Sequence, residues 1–428
     1  MKNISFFIII ICFLCTACEK QEYESYKIEA PLNIVRLSLS PNSPVLIADG
    51  TAELKFIVKA FCAVENTRLI QKEVDGEINL IEKTYRDTIE VSAEQLDSSQ
   101  IKIYQKDGTP VDWTFKTTDL SEDTLVFLAS YQGFESTPRK VALRPVPTDV
   151  FEPITVPVIF HIVVPRSQAN AYASIHAEDI EKLIDRVNRV FKNEIIHAPS
   201  SIDSKITFEL ATHDPKGNEL KEKGINRVEV SDETSINSYI KSYLIWDINH
   251  YLNIYISEFT EDQVNLPAYI LNNGSHLEMG DRYIRTVNNI SDAKYYSFNE
   301  VAIGITRSTY YSMVQDNKGL EDALGIFYGL FPTYYGIGVG ELDDFCDDTY
   351  TAAYSNMSLE KWTYQEDGNH LYKNGNEIYY NSYQIMDVYG PAYTITYDQV
   401  KRIRTVIENC PFRTPAKRYK ARSLRYCP

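Results

Sequence analysis

Histidine is scarce in this chain. Seven occur in 428 residues, at positions 161, 176, 197, 213, 250, 276 and 370, and no two lie within four positions of one another. A helical pair of metal-binding histidines needs i and i+4 on one face, so that device cannot be built anywhere in the sequence. Positive charge is also short: 43 lysines and arginines face 59 acidic residues, for a net charge of −16. Nucleic acid or an anionic membrane surface is thereby disfavoured as the main partner, because either would repel the chain. There is no serine nucleophile elbow, no phosphate-cradling glycine loop and no second carboxylate constellation, which removes the commonest hydrolase and nucleotide-binding chemistries. The apolar run at the start, "ISFFIIIICFL" from Ile4 to Leu14, is too short to span a bilayer, since a spanning helix takes about 20 apolar residues.

That run follows the basic Lys2 and ends in small residues Thr16 and Ala17 before Cys18, the pattern of a lipoprotein signal. Residues 1–17 are expected to be removed and Cys18 to carry the lipid; several acyl chains together make a stable membrane anchor. The alternative is an ordinary signal peptide whose cysteines are incidental apolar residues. The acidic stretch "EKQEYESY" within the tether 18–32 resembles the export tag of surface-exposed lipoproteins in Gram-negative bacteria. A lipid-anchored outer-membrane protein facing the cell surface follows as the expectation. Four cysteines remain beyond Cys18, at 62, 346, 410 and 427, and in an exported chain they could pair in three ways.

At 44% hydrophobic and 12% aromatic residues, the chain is too long for one core and should divide into at least two. Residues 33–148 read as short alternating strands. Leu37 and Leu39 share one face, as do Leu54, Phe56, Val58 and Ala60, and Val111, Trp113 and Phe115, with turn signals at "SPNSP", "ADG" and "KDG". An immunoglobulin-like β-sandwich is expected, serving as a spacer or adhesion module. The stretch "RPVPTDVFEPITVP", residues 144–157, holds four prolines and marks the seam. Beyond it strands and helices alternate. "VPVIFHIVV" is apolar throughout, as a strand covered on both faces should be. Ile180, Leu183, Ile184, Val187, Val190 and Phe191 fall at helical spacing behind Glu178 and Asp179. Further strands are predicted at 205–211, 251–257 and 300–306, giving an α/β domain over 149–428.

This order of elements, with "GINRV", "WDINHYLNIYI" and a central helix at "GLEDALGIFYGLFP" (319–332), resembles the catalytic domain of pappalysin-type metzincins. More closely it resembles the zinc-dependent metalloproteinase lipoproteins of Gram-negative bacteria, which also carry a sandwich domain before it. The resemblance covers residues 150 to 415 and implies a two-domain protein, the sandwich followed by a metzincin-like zincin domain. In that family the central helix reads H-E-x-x-H-x-x-G-x-x-H and a methionine turn comes later. Two histidines and a third after a turning glycine hold zinc, and the glutamate activates the metal-bound water. Gly329 matches the turning glycine and Gly325 a glycine that often precedes the second histidine. The ligand positions are then Asp322, Ile326 and Pro332, and the general-base position is Ala323. All three histidines and the glutamate are missing. Asp322 could give one oxygen; Ile326 and Pro332 have no side-chain lone pairs and Ala323 cannot act as a base. Zinc is therefore not expected, although the family uses it.

Downstream, "ELDDFCDDTY" (341–350) resembles the family's acidic segment, "QIMDVYG" (384–390) its methionine turn with Met386 under the former metal position, and 396–413 its closing helix. Asp343, Asp344, Asp347 and Asp348 could bind calcium or form a solvated loop. Cys346 and Cys410 are candidates for a disulfide, with Cys427 a rival partner. His161, in an apolar strand, and His250, at a strand entrance, read as structural. The tyrosine-rich run 371–393 could line a groove or pack an irregular subdomain. Taken together these features suggest a surface lipoprotein with a catalytically degenerate metallopeptidase domain that binds a peptide or protein along the edge strand 300–306. The alternatives are an active zinc endopeptidase with unconventional ligands and a purely structural surface protein.

Overall fold

A computed structural model describes residues 33–74, 77–92, 95–316, 319–335, 343–353, 371–373, 379–381, 383–387 and 392–413. Residues 1–17, Cys18 with its tether to residue 32, Cys427, and residues 374–378, 382 and 388–391 of the run 371–393 lie outside the described residues. Among those described, no helix is long and apolar enough to cross a membrane. The described residues form two compact units, one of residues 33–35 together with those described between Ala60 and Ser92, the other of Arg36–Lys59 and the residues described from 95 onward.

Ten strands precede the proline seam. They are β1 (Ile34–Pro41), β2 (Val45–Ile47), β3 (Leu54–Val74), β4 (Glu77–Glu90), β5 (Lys102–Gln105), β6 (Pro110–Val111), β7 (Thr114–Phe115), β8 (Thr124–Tyr131), β9 (Phe134–Glu135) and β10 (Arg139–Arg144). In the larger unit, one sheet runs β2-β10-β8-β5-β6 and β7 pairs with the start of β3 on the other. The two layers meet where Phe127 of β8 packs on Phe56 and Phe115, at ring distances of 4.8 and 5.3 Å. Leu37, Leu39, Leu54 and Phe56 are buried, as their alternation predicts. Trp113 is not: it is 42% exposed, because the strand predicted over 111–115 breaks into β6 and β7 and the alternation restarts between them. The smaller unit is a two-stranded antiparallel hairpin of β3 with β4, in register from Phe61↔Glu90 to Val74↔Glu77. It is far longer than the short strands the sequence suggests there.

After the seam come β11 (Ile154–Pro165), α1 (Ala177–Phe191), β12 (Ile206–Leu210), β13 (Ile225–Val230), β14 (Leu252–Ser257), the small parallel pair β15 (Tyr269–Leu271) and β16 (Arg285–Val287), then β17 (Ile303–Thr306). The helices α2 (Arg307–Asp316), α3 (Leu320–Phe327) and α4 (Tyr397–Asn409) complete the layer. The sheet runs β12-β11-β14-β17, with β13 pairing the second half of β11, and all these pairings are parallel. One face, including Val156, Val158, Phe160 and Ile162, shares a core with α1, α3 and α4. On the other, Val163 and Tyr255 pack with Phe298, Ile240 and Leu244. Burial on both sides is why β11 carries no polar alternation.

The edge predicted at 300–306 is covered. Gln263 lies antiparallel against Gly304 of β17, its N–H donating to the Gly304 carbonyl at 2.7 Å and its carbonyl accepting in return at 2.9 Å. A Cβ at Gly304 would sit 2.9 Å from the Gln263 side chain, so the close approach depends on glycine. In an antiparallel bridge, neighbouring residues present their backbone groups outward. The outer edge is therefore at Asp262 and Val264, whose backbone groups have no hydrogen-bond partner among the described residues.

Candidate functional site

Helix α3 is short and almost wholly buried. It starts after Gly319, with Glu321 and Asp322 in its first turn, where carboxylates oppose the macrodipole favourably. It ends at Phe327 with the hydrogen bonds of a Schellman turn: Gly329 N–H to Ile326 carbonyl and Leu330 N–H to Gly325 carbonyl, each 2.9 Å. Gly329 has φ +89°, and a Cβ there would also lie 2.7 Å from Val406 of α4. The Gly329 carbonyl accepts from Arg402 Nε of α4 at 2.5 Å. The guanidinium of Arg402 also lies over the Phe331 and Phe345 rings and donates to the Glu278 carbonyl. This inward arginine ties the turn to the closing helix.

Met386 sits directly against the helix. It is fully buried, and a Cβ on Gly325 would come 2.4 Å from its sulfur. Thr333, just past the turn, donates to the Met386 carbonyl and to Asp387. Gly325→Ala should thus lower stability by about 1–3 kcal/mol through overpacking, outweighing the roughly 1 kcal/mol that alanine gains in a helix. Adding Met386→Ala should recover part of that loss in a denaturation double-mutant cycle. Strict additivity of the two changes would place Met386 elsewhere.

The four positions that the sequence aligns with a zinc site carry no matching donors. Ala323 is buried in the core, and Ile326 and Pro332 are partly buried. Asp322 is partly buried, its carboxylate has no hydrogen-bond partner among the described residues, and burial followed by the nearby Glu321 and Asp262 pushes it up to about 7. Asp262 stands on the Gln263 edge and accepts the Thr306 N–H at 2.7 Å. One carboxylate, two apolar side chains and an alanine do not fit zinc, and among the described residues no three His, Cys, Asp or Glu side chains are grouped to share an ion. The acidic loop is engaged internally. Asp344 accepts from the Thr349 hydroxyl at 2.6 Å, and Asp348 accepts from the Thr396 hydroxyl at 2.7 Å and the Asp398 N–H at 3.0 Å. Burial pushes both carboxyls up to about 7. Asp343 and Asp347 are exposed, Asp347 lying 3.8 Å from Arg144.

Two expectations need correction or extension here. Cys346 and Cys410 are both buried free thiols, not a disulfide; Cys410 belongs to the apolar core around α4, while Cys346 sits in the acidic loop. The sequence also gave no reason to single out Glu321. It is 1% exposed, held by Arg186 of α1 at 2.8 Å, and accepts the Gly319 N–H at 3.1 Å. Burial, outweighing Arg186, leaves its carboxyl above the ordinary range. Its only sequence signal is an acid one residue before a candidate ligand, paired with an arginine on the polar edge of α1.

His161 is a satisfied core residue. Its Nδ1 accepts from Asn226 and its Nε2 donates to Asn253, both at 2.9 Å, and its ring stacks on Tyr255. Burial lowers its pKa to about 4. A histidine unable to protonate when folded contributes stability that is complete above pH 6.5 and lost as pH falls towards 4, about 3 kcal/mol in all. The difference in unfolding free energy between the native chain and His161→Gln should show that slope; the oppositely signed terms of the buried carboxyls cancel from it. A flat difference from pH 4 to 7 would contradict the assignment. His250 hydrogen-bonds to Asp247 at 2.5 Å.

No family model and no curated protein matches the chain. Among solved structures it is similar to mature mirolysin of Tannerella forsythia in complex with a cleaved peptide, at 18% identity over 63% of this chain and 97% of that one, TM-score 0.43. It is also similar to mirolysin in complex with compound 9, at 18% identity, the same coverages and TM-score 0.39. A promirolysin variant from Tannerella forsythia aligns at 19% identity over 64% of this chain and 86% of that one, TM-score 0.36.

Proposed function

We propose that this chain is a surface lipoprotein, anchored through Cys18, whose region 149–428 is a metzincin-like scaffold without peptidase activity that binds an extended peptide or protein segment. Residues 33–148, as an immunoglobulin-like sandwich, hold that region off the membrane. The observation that carries the reading is a maintained frame around a site without donors. Gly325 on Met386, Gly329 at positive φ and Arg402 on its carbonyl remain, while Asp322, Ala323, Ile326 and Pro332 cannot hold zinc or activate water. Recognition of peptide backbone needs exposed backbone donors and acceptors along an edge and no metal, and the outward groups of Asp262 and Val264, flanking the single bridge at Gln263, offer a short one beside α3.

The test joins three measurements on purified protein: metal content by mass spectrometry, cleavage of a peptide library, and binding of the same library. No stoichiometric zinc, no chelator-sensitive cleavage and saturable binding that Val264→Pro abolishes are expected, because proline removes an edge N–H. Stoichiometric zinc with chelator-sensitive cleavage would sink the proposal. Absence of peptide binding would leave a structural role in its place.

A further inference from the structure

On the sandwich, two adjoining depressions of about 330 and 290 Å³ share Lys102 of β5. The first is lined by Tyr104, Pro110, Asp112 and Trp113, the second by Gln100, Phe134 and Glu135. Each exposes a large ring: Trp113 is 42% and Phe134 39% exposed. The face between them is polar and ordered, since the Tyr104 hydroxyl of β5 donates to the Glu135 carboxylate of β9. The first volume falls at the small end of ligand sites, which run from roughly 300 to 1,000 Å³, and the second just below it.

The surroundings narrow the ligand. Strand β6 is the outer strand of this sheet, but it begins at Pro110, which has no N–H to offer, so an extended peptide cannot add there as a strand. A lipid chain would have to strip water from Lys102, Asp112 and Glu135 without replacing their hydrogen bonds. A polyanion would meet a chain of net charge −16. A neutral sugar has what the face asks for, a flat C–H surface to lie on an aromatic ring and rim hydroxyls for carboxylate, amide and ammonium groups.

We infer that this face of the sandwich binds a neutral oligosaccharide, with Trp113 as the stacking platform and Lys102, Asp112 and Glu135 as hydroxyl partners. The site is separate from the region around α3 and does not depend on how that region functions. The experiment uses the full chain on a printed array of short neutral oligosaccharides of glucose, galactose, mannose and N-acetylglucosamine, followed by calorimetry with the strongest binder. Trp113→Ala should weaken that binding at least about tenfold, as loss of a central aromatic anchor does. Trp113→Phe should retain most of it, and Phe134→Ala gives an independent arm at the second depression. Melting temperature and far-ultraviolet dichroism check that each variant is folded. No binding on the array, binding restricted to anionic sugars, or binding indifferent to both Trp113→Ala and Phe134→Ala would each overturn the inference.

Discussion

Carrying Asp322→His, Ala323→Glu, Ile326→His and Pro332→His together, the protein is expected to bind one zinc ion per chain where the parent binds none. Positions 322 and 326 are i and i+4 on α3, both partly buried, so two histidines there would project side by side. The chain then turns at Gly329 with φ +89°, bringing position 332 back three residues later. Arg402 and Val406 already hold that turn, and Met386 already supports the helix from below. A three-histidine site in a preformed frame should gain about 10 kcal/mol of zinc-binding free energy at neutral pH, the low end of values for structural zinc. Equilibrium dialysis with metal analysis measures it. A folded variant that takes up no zinc would mean that these four positions do not converge, and the scaffold reading would fall with it.

Glu321→Ala is expected to be the most damaging single change around α3, at about 3 kcal/mol. Removing one partner of a buried ion pair leaves the other charge desolvated and unpaired. Here that charge is Arg186, which among the described residues keeps the Ala392 carbonyl at 2.9 Å and the Tyr393 ring. The Gly319 N–H at the head of α3 loses its acceptor as well. Urea unfolding should show the loss without a change in slope. A cost below about 1 kcal/mol would mean that water reaches Arg186 once the carboxylate is gone. Arg186→Ala should cost a similar amount, and the double change less than the sum, because the two groups share one interaction.

Much of the α/β architecture was legible because its signals are local. Ile180 through Phe191 carry a 3.6-residue period, and β11 is a nearly continuous apolar run because both its faces are covered; β14 is buried throughout as well, but carries Asn253 and Ser257 beside Tyr255 on one face. The capping box of Thr396 with Gln399 marks the start of α4 within its own four residues. Two local signals misled. Trp113 follows the alternation of a strand that breaks beside it, and 300–306 reads as an edge because nothing nearby in sequence announces Gln263, some forty residues earlier, as its neighbour. The arginines of α4 carried no sequence signal of their placement. Arg402 and Arg404 occupy positions that periodicity leaves ambiguous, yet both turn inward, Arg404 donating to the Ser204 and Glu152 carbonyls at 2.7 and 2.6 Å.

What the amino-acid sequence determined by itself is chemical: which side chains exist, and hence that residues 319–332 hold no histidine and that position 323 carries an alanine, not a glutamate. Composition decides that without any coordinate, because lone pairs belong to residue types. What only the tertiary structure decided is adjacency. Met386 against Gly325, Arg402 on the Gly329 carbonyl, Glu321 under Arg186 and Gln263 along β17 join residues tens to more than a hundred positions apart. No local periodicity encodes such contacts, since they arise when distant surfaces are packed to exclude water.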